Sequence, residues 1–238
     1  MYNKASIYKG GGVYNLGDGA STKLPANTLR FLFSKSDYDP TVAGVGSTGT
    51  WQKVDTAAAN VWDWTRSGTS FFDSFRNAFS YIDNLVYVIA AGNTSTITSF
   101  GSMFNGCTSL KSVCLLDTSA ATSLQSMFNG CTSLTRVPLF DTSKVTNINS
   151  MLVGCTKVEG GSLALYQQAS AQTTPPTFHV NTFTDCGKDT ETGAAELAQI
   201  PSDWGGTAPA TLNMGAPQNL TEPLSPSVID DGDDSLTK

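Results

Sequence analysis

The chain has 238 residues, with 30 Thr, 26 Ser and 22 Gly, only 14% charged residues and a net charge of −6. With 14 Lys and Arg against 20 Asp and Glu, and with His179 as the one histidine, it offers neither the basic face of a phosphate binder nor the side chains of a multi-histidine zinc site. Its longest apolar runs, such as Leu85–Ala91, fall far short of the roughly 20 residues that cross a bilayer, so no membrane insertion is expected.

Residues 1–25 mix Tyr2, Ile7, Tyr8, Val13 and Tyr14 with glycines and few charges, which makes no core alone. They read either as a flexible arm or as an anchoring peptide whose aromatic side chains fill pockets on a partner. No apolar run follows the first positive residues, as a secretory signal requires, so synthesis in a cytoplasm is expected. The odd number of cysteines, five, favours free thiols over a disulfide framework.

Residues 26–70 read as a small β cap. Thr28–Phe33 alternates Leu29, Phe31 and Phe33, and Thr50–Val54 and Asn60–Trp64 have the same look. Trp51, Trp62 and Trp64 are then either a sugar-stacking platform or the core that closes the first coil of the next region. Phe71, Phe72, Phe75 and Phe79 stand at helical spacing after it.

The strongest signal is internal repetition. Ser102–Leu110 and Ser126–Leu134 are identical over nine positions at a period of 24, and a third copy starts at Ser150. Phe79, Ile82, Leu85 and Val88 form a degenerate upstream copy, and Phe183 and Cys186 a downstream one. Leu110-x-x-Val113-x-Leu115 and Leu134-x-x-Val137-x-Leu139 fit the strand pattern of leucine-rich repeats, while Leu124, Met127 and Phe128 at i, i+3 and i+4 give a helix-like inward face. Gly106 and Gly130 then suit helix C-caps, and Asp117-Thr-Ser and Asp141-Thr-Ser suit turns. The expected fold is an α/β solenoid, a short leucine-rich-repeat domain of about five coils over residues 71–206, with a small β-rich N-terminal cap, an extended N-terminal arm and a C-terminal cap.

In such strands, residues alternating with buried ones face the concave side. That places Tyr87, Ser112 and Arg136 in one column, Ile89, Cys114 and Pro138 in a second, and Ala91, Leu116 and Phe140 in a third. The last two are mostly apolar, as partner-binding surfaces are. Cys107, Cys131 and Cys155, one coil apart, should fill a niche in the core rather than hold a metal. Helices are expected over Leu163–Ala171 and Thr192–Gln199, with Asp203-Trp204 pinning the last onto the final coil and His179 in a loop. Residues 207–238 read as a Pro-containing acidic tail, whose Asp230, Asp231, Asp233 and Asp234 lack the spacing of a calcium loop. No catalytic residue, metal site or cofactor is expected.

The pattern Met-Phe-x-x-Cys-x-x-Leu-x-x-Val with Asp-Thr-Ser, and the run Lys144–Met151, resemble the BspA-like leucine-rich repeats of bacterial surface proteins, with Ile148 and Leu152 as departures. Leu163–Ala169, Thr182–Gly187, Gly193–Gly205 and Ile7–Tyr14 are similar to segments of head-fibre and virion structural proteins of gut Bacteroides phages, the crAss-like group included. These resemblances imply a non-enzymatic virion protein on the capsid surface, a head fibre or capsid decoration. Its arm would hold a capsid or companion fibre protein, and its repeats would bind a host-surface or mucosal glycan or protein weakly and multivalently. An oligomer of identical chains is expected, and a bacterial surface adhesin is the alternative.

Overall fold

The computed structural model describes residues 24–54, 60–67 and 74–210, together with the backbone of a hairpin formed by β1 (Ser6–Lys9) and β2 (Gly12–Asn15). Tyr2, Phe71, Phe72 and the acidic end of the tail lie outside the described residues, as do the side chains of Ile7, Tyr8, Val13 and Tyr14.

Three aromatic-rich runs pair as the alternation predicts. β3 (Thr28–Phe33), β4 (Gly49–Val54) and β5 (Asn60–Arg66) are joined by β6 (Leu85–Ala91) and the two-residue β7 (Ser112–Val113) in one mixed sheet of order β4-β5-β3-β6-β7. All pairs are antiparallel except β6 with β7. Every residue of the central strand β3 is buried, including Arg30, whose guanidinium meets the Asp63 carboxylate of β5 through two bonds of 2.6 and 2.8 Å. That bidentate pair raises the Arg30 pKa above its ordinary value, because the hydrogen-bonded carboxylate favours the charged form more than burial opposes it.

The expected α/β solenoid is not what forms. Among the described residues the repeats contain no helix; of the two α-helices there, α1 (Ser162–Ser170) lies between the third copy and the last turn segment and α2 (Glu191–Leu197) follows that segment, and the architecture is mostly β. The inward residues of each repeat sit instead on runs of turns. Phe100, Ser102, Phe104 and Gly106 donate their amides to Ser123, Gln125, Met127 and Asn129 of the next copy at 2.7–3.0 Å, while Met103, Asn105 and Cys107 donate three residues back within their own copy. The same four-bond register recurs from Leu124 to Gly130, from Ile148 to Gly154 and, upstream, from Phe75 to Tyr81. Left-handed residues every fourth position explain why no helix grows: Ser102 and Gly106, Ser126 and Gly130, and Ser150 and Gly154 all have φ between 53° and 74°. Gly106 and Gly130 are thus turn residues inside the run, not helix caps.

The upstream copy keeps its strand, β6, but the second half of each of the next two copies departs from the strand pattern. Leu110, Val113 and Leu116, and Leu134, Val137 and Phe140, are the buried sets, so the inward spacing is three residues throughout rather than ending in the two-residue step of a pleated strand. Only Ser112–Val113 pairs as a strand there.

Between copies the polar interior is satisfied by its own periodicity. Buried Thr94 donates its hydroxyl to the Asp117 carbonyl at 3.0 Å, and Thr118 does the same to Asp141 at 2.9 Å. The Asp117 and Asp141 carboxylates accept from the amides of Ser119 and Ser143, the turn role foreseen for these motifs. Phe79, Phe104, Phe128 and Phe140 stack with centroids 5.7–6.0 Å apart and planes within 18°. Phe140 takes the place in this stack that the third copy leaves to Leu152.

Both ends of the stack are covered. Trp64 meets Phe79 and Phe75 edge-on at 4.9 and 5.4 Å, so β3–β5 close the first coil. At the other end the Phe183 amide donates to Trp204, whose ring packs against Tyr166 and His179. α1 lacks a cap of its own; the Glu196 carboxylate of α2 accepts the amides of Gly161, Ser162 and Leu163 at 2.8–3.2 Å. Gly206 is required here, because any side chain would run into the Ile200 carbonyl.

Candidate binding surface

The structure separates the residues that the strand pattern had grouped. Ser112 and Arg136 are exposed, and Tyr87 is half-buried beside Leu32 and Val61. Ile89, Cys114 and Pro138 are half-buried. Leu116 and Phe140, expected on an open face, are core residues, and Leu115 and Leu139 take the exposed places at 70% and 55%. The error is one residue of register, made by extending an alternating pattern through a segment that turns with a period of three. Those two leucines stand one copy apart and form an exposed apolar pair.

The cysteines behave as packing groups. The thiols of Cys107, Cys131 and Cys155 donate to the carbonyls of Phe79, Phe104 and Phe128 in the preceding copy at 3.0–3.1 Å, and Cys186 lies 3.2 Å from the Ser162 hydroxyl. Burial pushes Cys107 and Cys186 up to about 12, and Cys131 and Cys155 well above their ordinary value. Cys114, expected on the concave side, is also raised to about 12 by burial and packs against the core. Among the described residues no three metal-ligating side chains cluster. No helix there is long and apolar enough to cross a membrane.

The indoles serve the core as well. Trp51 and Trp64 donate to the carbonyls of Val45 and Gly46, and Trp62 to the Asn60 side chain, each at 2.8 Å. Trp51 and Trp64, tied to the Val45–Gly46 loop and packed against Phe31 and Phe79, and the buried Trp62 present no sugar-stacking platform. His179 is stacked 4.3 Å from Trp204, with Nδ1 2.9 Å from the Pro176 carbonyl, a structural placement.

What the pattern missed is the outer face of the turn segments. Here Tyr81 stands at 75% exposure in the left-handed position that glycine holds in the next three copies, its ring lying where a side chain of Gly106 would be. A side chain at Gly154 would meet nothing within 4 Å, and one at Gly130 only the backbone of Gly106, so beyond the ring this column of glycines is left clear of side chains along the stack. The substitution of Tyr for Gly at an offset of 25 is the signal that could have revealed it.

The family described as Mycoplasma protein of unknown function, DUF285, matches residues 51–183, more than half of the chain. The chain belongs to this family. The DUF285 match begins within β4 and ends in the last turn segment, so it takes in the closing strands β4 and β5 as well as the repeats, and it agrees with the BspA-like character of the repeat motif. No curated protein and no solved structure matches the chain.

Proposed function

We propose that this DUF285 protein is a non-catalytic binding module displayed on a particle, a phage virion structural protein of the head-fibre or capsid-decoration kind. The observation that carries this reading is the use made of its polar groups. Threonine hydroxyls, turn aspartates and thiols of successive copies are spent on one another and on the backbone, which builds a rigid scaffold whose product is repeated surface. The likeness of Ile7–Tyr14 and of the segments after the repeats to phage virion proteins supports display from a capsid, with residues 1–25 as the attachment. A bacterial surface adhesin is the second reading, favoured by the BspA-like motif that the DUF285 match supports.

The test is incorporation. Purified particles assembled with a chain lacking residues 1–25 should lose the protein, whereas unchanged incorporation would remove the anchoring role.

A further inference from the structure

We infer that the column of glycines along the turn segments, headed by Tyr81, binds a neutral linear glycan. This deepens the reading of the chain as a displayed binding module and rests on it.

Three observations carry the inference. The first is the exposed aromatic ring: Tyr81 is 75% exposed, lies against the glycine of the next copy, and offers the flat apolar surface with a polar tip on which a pyranose ring can rest. The second is hydrogen-bonding capacity at the spacing of the stack. Asn105 and Asn129 occupy equivalent places in successive copies, next to Gly106 and Gly130, and their side-chain amides bond no other described group. Thr132 is exposed and gives its hydroxyl proton to the Thr108 carbonyl at 3.4 Å, which leaves its oxygen able to accept. Paired strands repeat at about 4.8 Å, close to the advance per sugar of an extended glycan, so each copy can meet one ring.

The third is charge. Residues 98–109, 122–133 and 146–156 contain no Asp, Glu, Lys or Arg in a chain of net charge −6. At the two ends Asp83 pairs with Lys35 at 4.0 Å and Asp185 with Lys188 at 3.2 Å, and the exposed Arg76 stands beside Gly101 at the first joint. A surface of aromatic, amide and hydroxyl groups whose three central copies carry no charge suits an uncharged polyol, and the single cation Arg76 at its head gives an anionic polymer little to pair with. The exposed Leu115 and Leu139 belong to another part of each copy and serve as a control.

Calorimetric titration of the full chain with neutral β-1,4-linked hexasaccharides of glucose, mannose, xylose and N-acetylglucosamine, and with polygalacturonate as the anionic arm, tests this. Binding of at least one neutral hexasaccharide, with none of polygalacturonate, is expected. Tyr81→Gly puts in place the residue that the next three copies carry, so it keeps the fold, and it should weaken binding at least tenfold; Asn105→Ala with Asn129→Ala should do the same, and Leu115→Ser with Leu139→Ser should change nothing. No binding of any neutral hexasaccharide, or binding that Tyr81→Gly leaves intact, overturns the inference. Particle incorporation measured on the same variants keeps the two proposals apart, since a chain that is incorporated but binds no glycan defeats only this one.

Discussion

Gln172 reaches back across the stack to Thr142, its side-chain amide donating to the Thr142 carbonyl at 2.8 Å and lying 2.6 Å from the hydroxyl. Thr94 and Thr118 each bond the next copy's aspartate carbonyl, but the copy that would follow Thr142 is replaced by α1, and the glutamine after it takes over. Gln172→Ala leaves the buried Thr142 group without its partner and should cost about 1–3 kcal/mol. Chemical denaturation will read this as a lower midpoint with an unchanged slope.

Glu196 holds the start of α1 from a distance of more than 30 residues in sequence. Glu196→Ala should cost about 1 kcal/mol and speed hydrogen exchange at the Ser162 and Leu163 amides by several-fold, with amides in the turn segments unaffected. Equal acceleration throughout the chain would mean that the carboxylate supports the whole fold and not the helix start.

The Arg30–Asp63 pair sits in the middle of the sheet with the Arg30 side chain only 7% exposed. Asp63→Ala strands that guanidinium and should cost about 3–5 kcal/mol, whereas Arg30→Met combined with Asp63→Leu should recover most of the loss. Thermal unfolding of the single and double variants measures the difference.

Register within the repeats can be tested with neighbours. Phe140→Asp buries a charge in the phenylalanine stack and should prevent folding, while Leu139→Asp, one residue away and 55% exposed, should shift stability by less than about 0.5 kcal/mol. Circular dichroism of the two variants would show the opposite order if the alternating strand pattern were correct.

The buried thiols predict an alkaline limit. Cysteine's ordinary value is near 9, and folding raises Cys107 and Cys186 to about 12. Below pH 9 the thiol is protonated in both states and its contribution is fully present; between pH 9 and 12 the unfolded chain ionises while the folded chain does not, so stability falls as pH rises. Each such thiol adds up to about 1.4 kcal/mol per pH unit. Cys107→Ala should therefore flatten the decline of the unfolding temperature between pH 9 and 11, and iodoacetamide at pH 8 should modify the native cysteines far more slowly than the unfolded ones.

Much of this architecture can be read in the residues. The 24-residue identity marks the copies, the alternation of Leu29, Phe31 and Phe33 marks β3, and the apolar runs before Thr173 and Pro201 mark α1 and α2 within one or two residues. Local geometry inside the copy was not legible, because Leu124, Met127 and Phe128 give the same inward spacing on a helix and on turns that bond three residues back. Only the left-handed serines and glycines separate the two, and serine at φ near 55° is not what its propensities suggest. The binding face followed the same error: once the third inward residue is Phe140 and not Leu139, the apolar columns fall into the core. Tyr81 went unnoticed since an aromatic in a degenerate first copy reads as a lost glycine.

The hydrogen-bond register between copies is the same at four successive joints, and nothing in it depends on which copy comes first. Length is therefore an adjustable quantity in this protein. Duplicating residues 102–125 in place would insert one more unit between unchanged ends and move them apart by about 4.8 Å. A lineage could thus change the separation of the two ends in uniform steps, each copy carrying its own left-handed glycine with it.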